Sequence, residues 1–190
     1  MRQPRRVQRG STTVRIIGGT WRGTRVQLPE NPAVRPTPDR VRETLFNWCQ
    51  PVIAKARCLD LFAGTGVLGF EAVSRGAAEA VLVEQDEQTV AAMRDLKERL
   101  SASAVHIVQR DVFSFLEEGP RAFDLIFVDP PFGCTIRERV LQTLRSGWLA
   151  AHGRVYLESP IQEALEICGW RVLREGSTKQ VNYKLIEPAG

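Results

Sequence analysis

The chain has 190 residues, 43% hydrophobic and 25% charged, with a net charge of +4. That is the size and composition of about one soluble globular domain, and it excludes disordered, collagenous and coiled-coil proteins. No apolar run approaches the ~20 residues that span a bilayer, and the charged start lacks the apolar core of a secretory signal. Cys49, Cys58, Cys134 and Cys168 lie far apart, and His106 and His152 are the only histidines. Structural zinc, a disulfide framework and histidine-based catalysis are therefore poor expectations, and a reducing cytoplasm is the expected compartment.

Charge is unevenly spread. Residues 1–57 hold 12 Lys/Arg against 3 Asp/Glu, and the remainder holds 14 against 19. A basic arm on a mildly acidic body suggests a polyanionic partner such as nucleic acid, although a merely solvated terminus has the same composition.

Residues 1–12 have almost nothing to bury and read as a flexible basic arm. Two β-prone runs, 13–17 and 24–28, flank a glycine-containing reversal and predict a hairpin. The prolines of 31–38 make an extended connector. Val41, Leu45 and Trp48 then mark an amphipathic helix starting near Pro38 or Asp39. From Arg57 onward the chain alternates. Strands are expected at 58–62, 80–83, 105–108, 123–128, 154–157, 170–173 and 181–186. Helices are expected from Gly66 to about Arg75, over 86–100 and 112–116, from Ile136 to Trp148, and over 161–167. Strand–helix alternation with short connections implies an α/β fold, a doubly wound and mostly parallel sheet with helices on both faces. The last two strands lack a helix between them, so one of them runs antiparallel. The expected organisation is arm (1–12), hairpin and helix extension (13–50) and a Rossmann-like domain (51–190).

The sharpest local pattern is Gly64-x-Gly66-x-x-Gly69 between a strand and a helix, with Glu84 ending the next strand. Taken literally, this spacing fits the dinucleotide fingerprint, with a carboxylate to hold ribose hydroxyls, although small residues at a tight strand–helix turn also serve packing. Asp60, at the carboxyl end of the preceding strand, would repel a pyrophosphate and attract a cationic ligand. S-adenosylmethionine, with a sulfonium, an ammonium and no phosphate, suits it better than NAD. Asp111 is placed either to accept from the adenine amino group or to cap the helix that follows it, and the two roles are compatible.

Asp129-Pro130-Pro131-Phe132 follows the fourth strand of the alternating part. Its prolines fix a rigid loop whose carbonyls face outward, free to accept. The Asp129 carboxylate and the Pro130 carbonyl suit the two hydrogens of an exocyclic amine on a base stacked against Phe132. Two such acceptors draw the nitrogen toward sp³ and aim its lone pair at a methyl sulfonium, so catalysis is positioning and electrostatics.

With these residues the chain resembles the class I S-adenosylmethionine-dependent methyltransferases. More closely, it resembles the RsmD family of bacterial 16S ribosomal RNA guanine-N2 methyltransferases, from Arg15 to Tyr183. The most specific stretches are Arg15-Ile16-Ile17-Gly18-Gly19-Thr20-Trp21-Arg22-Gly23 and the run from Arg35 through Asp39-Arg40-Val41-Arg42-Glu43 to Asn47. The resemblance implies a seven-stranded sheet of order 3-2-1-4-5-7-6 with strand 7 antiparallel. It also implies a monomer acting on one guanine near the peptidyl site of an assembled or assembling small subunit. By position, Gly64 and Gly66 would line the methionine part of the cofactor, with Asp60, Phe62, Ala63 and Thr65 also binding it. Thr37 and Arg40 would border its carboxylate, Glu84 its ribose and Asp111 its adenine, with Gln85 and Val112 as further cofactor contacts. Asp129 would face both cofactor and target amine, with Pro130, Pro131 and Phe132 completing the catalytic loop. RNA contacts are expected from Arg2, Arg5, Arg6, Arg9, Arg15, Arg22 and Arg25. Trp21 is expected either to stack on a base or to pack the hairpin onto the sheet. The other readings of the same residues are adenine-N6 methylation, an NAD(P)-dependent oxidoreductase, and a non-catalytic assembly factor.

Overall fold

The computed structural model describes residues 13–27, 37–131, 136–163 and 166–189. Strands β1 (Thr13–Arg15) and β2 (Arg25–Gln27) form an antiparallel hairpin. Then come α1 (Asp39–Ile53), β3 (Arg57–Asp60), α2 (Val67–Ser74), β4 (Glu79–Glu84), α3 (Glu87–Arg99) and β5 (Val105–Gln109). The chain continues through α4 (Val112–Leu116), β6 (Phe123–Val128), α5 (Arg137–Leu144), β7 (Leu149–Pro160), β8 (Trp170–Ser177) and β9 (Val181–Pro188). The large sheet has the order β5-β4-β3-β6-β7-β9-β8. Pairing is parallel from β5 to β7, and β9 runs antiparallel to both of its neighbours. This is the expected doubly wound α/β architecture, with the hairpin added at its N-terminal side.

Side chains alternate across the central strands, and both faces are buried, as parallel sheets require. Cys58, Ala80, Leu82, Leu125, Phe127 and Tyr156 point to one face and pack with apolar residues of α1, α2, α3 and the hairpin. Leu59, Val81, Val83, Ile126, Val128 and Leu157 point to the other and pack with α4 and α5. The same alternation carries Asp60, Glu84, Asp129 and Glu158, at the carboxyl ends of four neighbouring strands, toward the face under α1 and α2.

The hairpin is bolted to the end of α2. Thr20 N–H donates to the Ser74 carbonyl (2.8 Å), Trp21 N–H to Ser74 Oγ (2.9 Å), and Ser74 Oγ–H to the Gly18 carbonyl (2.6 Å). Trp21 meets Phe70 of α2 edge-on with 6.3 Å between ring centroids, so it packs the hairpin onto a helix, where packing onto the sheet was expected.

Three expectations need correction. Ile161 and Gln162 form a turn and residues 163, 166 and 167 have no regular structure, in place of the expected helix; Ile161 N–H instead bonds the Gln180 carbonyl (2.8 Å). The helix expected to reach Trp148 stops at Leu144, because Trp148 is claimed by the core, where it stacks on Phe123 and packs against Phe115. Finally, α1 buries Arg42, Leu45, Phe46, Cys49 and Ile53 along with Val41, while Trp48 lies half-buried at the rim against Tyr183. A helical face containing an arginine reads as polar from sequence, and only the partners described below make its burial tolerable.

Candidate active site

The turn from β3 into α2 is shaped by its glycines. Gly66 caps α2 with φ of 75°, and a Cβ there would lie 2.7 Å from Met93 Sδ and 2.9 Å from Leu82 Cδ2. A Cβ on Gly69 would lie 2.5 Å from Leu82 Cδ1. The first glycine pair makes the turn and the third lets helix and strand close together, as the spacing predicts. Glu84 braces this turn from the next strand. Its Oε2 accepts from Gly64 N–H and its Oε1 from the Gln85 and Asp86 amides, all at 2.9 Å.

Asp60 sits beneath the turn, 1% exposed. Neither carboxylate oxygen has a hydrogen-bond partner among the described residues. Burial pushes its pKa from 3.8 up to about 7; the amides of Gly69 and Phe62 offset part of this rise without completing hydrogen bonds, and Glu84 adds to it. A buried carboxyl left without a donor is costly, and it fits a cationic partner that arrives from outside. Phe62 and Gly64 are partly exposed along the turn, while Ala63 and Thr65 are buried. Asp111 Oδ1 caps α4 by accepting from Phe113 N–H (2.9 Å) and Ser114 N–H (3.1 Å). Val112 is buried behind it and Gln85 is exposed beside Glu84.

Asp129 follows β6 and lies in a polar cluster that the alternating faces bring together. Thr37 Oγ1 is 3.2 Å from Asp129 Oδ2 and 3.1 Å from Glu158 Oε1. Tyr156 O–H donates to the same Glu158 oxygen at 2.6 Å. Asp129 keeps some exposed surface, yet desolvation and the Glu158 charge push its carboxyl well above the usual range. Glu158 is raised by burial, with Tyr156, Thr37 and Arg137 working against the rise. Arg137 is 1% exposed. Its guanidinium donates to the Glu158 carbonyl (2.8 Å), the Pro130 carbonyl (3.2 Å) and the Glu163 carboxylate (3.0 Å). The Pro130 carbonyl is thus neither outward-facing nor free, correcting the expectation for this loop. Arg137 ties it to β7 and leaves one lone pair for another donor. Pro131 is exposed next to it, and Phe132 lies outside the described residues, as do Arg2, Arg5, Arg6 and Arg9.

A second network fixes Thr37 from behind. Arg42, fully buried in α1, donates to the Thr37 carbonyl (3.2 Å), Glu71 Oε2 (2.9 Å) and Asp39 Oδ1 (2.7 Å). Glu71 also receives Arg75 at 2.7 Å and the Ile17 amide at 3.3 Å, so the hairpin, α1 and α2 meet on one buried carboxylate. Arg40 is exposed on the first turn of α1. Arg15, Arg22 and Arg25 are exposed on the hairpin, Arg15 pairing with Asp39 at 3.1 Å. The structure therefore gathers Thr37, Asp60, Asp129 and Pro130 at one edge of the sheet, near the glycine turn and Glu84. Both histidines are exposed, and neither belongs to this network.

Arg42, Glu71, Arg137, Tyr156 and Glu158 were not singled out from sequence. For Glu158 a signal existed: an acid closing the apolar run Val155-Tyr156-Leu157 stands at a strand's carboxyl end, as Asp60 and Asp129 do. For Arg42 and Arg137 the local pattern is that of any solvent-facing helical arginine.

Comparison with known proteins places this geometry among relatives. The family described as conserved hypothetical protein 95 matches residues 14–187. The chain is 42% identical over 181 residues to ribosomal RNA small subunit methyltransferase D of Escherichia coli, covering 94% of this chain and 91% of that protein. It is 36% identical over 180 residues to the Haemophilus influenzae protein of the same name, covering 92% and 93%. Among solved structures, a provisionally named methyltransferase of Escherichia coli superposes with a TM-score of 0.86 at 40% identity, covering 93% of this chain and 98% of that one. A provisionally named methylase of Haemophilus influenzae gives 0.78 at 34% identity, covering 94% and 99%.

Proposed function

This chain belongs to the conserved hypothetical protein 95 family, together with the small-subunit ribosomal RNA methyltransferases D. From that premise we propose that it transfers a methyl group from S-adenosylmethionine to the exocyclic N2 amine of a guanine in 16S ribosomal RNA. The observation that carries the reading is the pair of carboxyls at the ends of adjacent strands. Asp60 is buried without a hydrogen-bond partner among the described residues beside a glycine turn, and Asp129 stands next door beside a braced proline carbonyl.

The residues fit the cofactor. The orphaned Asp60 carboxyl suits an ammonium, and a pyrophosphate there would meet a second negative charge, which disfavours a dinucleotide. Glu84 holds the turn with both oxygens while retaining lone pairs for ribose hydroxyls. Thr37 and Arg40 stand beside the same edge, and Asp111 keeps its Oδ2 for an adenine amine. The cofactor, when bound, supplies an electrophilic methyl on sulfur. The protein's work is on the amine. Asp129 and the spare lone pair of the Pro130 carbonyl accept its two N–H groups, turn its lone pair out of conjugation, and hold it in line. Methylation leaves that nitrogen one proton in excess, and the Asp129 carboxylate is the base placed to take it. The exposed cations Arg15, Arg22, Arg25 and Arg40, with those of residues 1–12, meet RNA phosphates, and Phe132 stacks on the base. The protein works in the cytoplasm as a monomer on the small subunit or an assembly intermediate.

The test is product identification on undermethylated small subunits with labelled cofactor. N2-methylguanosine is expected, and Asp129→Ala should abolish it while cofactor affinity stays within a few fold. N6-methyladenosine as the product would transfer the chemistry to another amine; a wild-type protein without turnover on subunits would leave a binding factor in place of an enzyme.

A further inference from the structure

The reaction as derived uses Asp129 and the Pro130 carbonyl but gives no task to Glu158, a carboxyl 3% exposed within reach of the same threonine. The Thr37 hydroxyl has a single hydrogen, yet its oxygen lies 3.2 Å from Asp129 and 3.1 Å from Glu158. Were both acids ionised, one of those contacts would set a carboxylate against a bare lone pair inside the protein, a repulsion with nothing to offset it. With one proton on the pair, both contacts are hydrogen bonds.

We propose that Asp129 and Glu158 hold one proton between them across the Thr37 hydroxyl, and that Glu158 is thereby a positioning residue which sets the charge of Asp129. The proposal rests on the functional reading above for what Asp129 does, but not for where the proton lies.

The surroundings say which acid is charged at rest. Glu158 Oε1 receives both the Tyr156 and Thr37 hydroxyls, and the Arg137 guanidinium is bonded to the Glu158 carbonyl. Glu158 is therefore the ionised member, and Asp129 donates its proton to Thr37 Oγ1. Asp129 faces Thr37 from the segment before α1, Asp60 from β3, Glu158 from β7 and Arg137 from α5; of these only Arg137 is cationic. A target amine whose N–H groups must be accepted reverses the balance. The Asp129 proton passes to the Thr37 oxygen as the hydrogen of Thr37 passes to Glu158. Two O–H bonds form, two break, and the net charge of the cluster is unchanged. Asp129 is then a carboxylate when the amine needs it, and the empty site is spared two adjacent buried negative charges.

The test is Glu158→Gln, whose amide can donate to Thr37 as a protonated Glu158 would but carries no charge. With Glu158 gone no acid can take the Asp129 proton, which must then be lost to solvent, so the acidic limb of the kcat/KM profile on small subunits should move up by about one pH unit, a tenfold relative loss below the wild-type limb. A readout without cofactor or RNA is thermal unfolding against pH. Carboxyls whose pKa is raised on folding keep their full stability below the unfolded value near 4 and lose it as pH climbs through the folded value. The wild type should therefore fall progressively below Glu158→Gln in Tm from about pH 4 upward. Superimposable rate profiles, or a Tm difference constant with pH, overturn the proposal. If Glu158→Gln does not fold, Thr37→Val and Thr37→Ser replace it. Serine should keep the wild-type unfolding profile and valine change it, and a valine profile identical to wild type overturns the shared proton. A wild type inactive on subunits at every pH counts against the functional reading alone, since the unfolding comparison still judges the proton.

Discussion

Asp60→Asn should stabilise the ligand-free protein at neutral pH while destroying its cofactor site. The carboxyl is fully enclosed, and its pKa rises from 3.8 to about 7 on folding. The folded state therefore binds the proton more tightly than the unfolded chain. Stability is undiminished below about pH 4, declines as pH rises through the interval, and levels off above about pH 7. At roughly 1.4 kcal/mol per pH unit the charge costs up to about 4 kcal/mol at pH 8. Asparagine is close to the shape of the protonated acid but cannot ionise, so it escapes the cost. For a domain of this length the gain corresponds to a Tm increase of about 8–16 °C at pH 8, shrinking toward zero near pH 4. Thermal unfolding of both proteins across pH 4–8 measures it, and calorimetry with S-adenosylmethionine measures the price in binding, which should fall at least tenfold. A Tm difference that does not change with pH would refute the reasoning, because it would mean that Asp60 finds a donor in the folded state.

Arg42→Met removes the fully buried cation that joins Thr37, Asp39 and Glu71; leaving the Glu71 carboxylate with Arg75 as its remaining cation among the described residues should cost about 3 kcal/mol in urea unfolding. Gly69→Ala forces a methyl against Leu82 and should destabilise by about 2 kcal/mol, less the helix propensity that alanine contributes, measured the same way. Deleting residues 1–12 removes Arg2, Arg5, Arg6 and Arg9. The slope of log affinity for RNA against log salt should flatten by up to about 3, and an unchanged slope would show that the arm makes no phosphate contacts.

Much of this protein was legible in one dimension. Strand–helix alternation fixes the fold class because periods of 2 and 3.6 are local properties. The short helix at 112–116 and the strand at 123–128 were placed at their observed bounds for that reason. The glycine turn, Glu84, Asp111 and Asp129 stand at strand ends in motifs a few residues long, so spacing alone nominates them, and the family resemblance rests on the same short stretches. The failures have a physical pattern. Trp148 reads as a helical residue, but its ring is taken by Phe123 and Phe115. Of the helix expected over 161–167, the described residues form a turn at 161–162, bonded to the chain ahead of β9, and irregular chain at 163, 166 and 167.

What the tertiary structure alone decided is the charge at the site. Asp129 and Glu158 lie 92 and 121 positions beyond Thr37 along the chain, and the three meet because β7 pairs with β6 and the residue pair before α1 lies against both. Arg42 and Arg137 look like ordinary surface arginines until packing removes their water and sets them against buried carbonyls and carboxylates. Local sequence encodes which way a side chain points along its own element. Desolvation and the sign of the neighbouring charges depend on which elements are stacked, and that is settled only when the sheet is assembled.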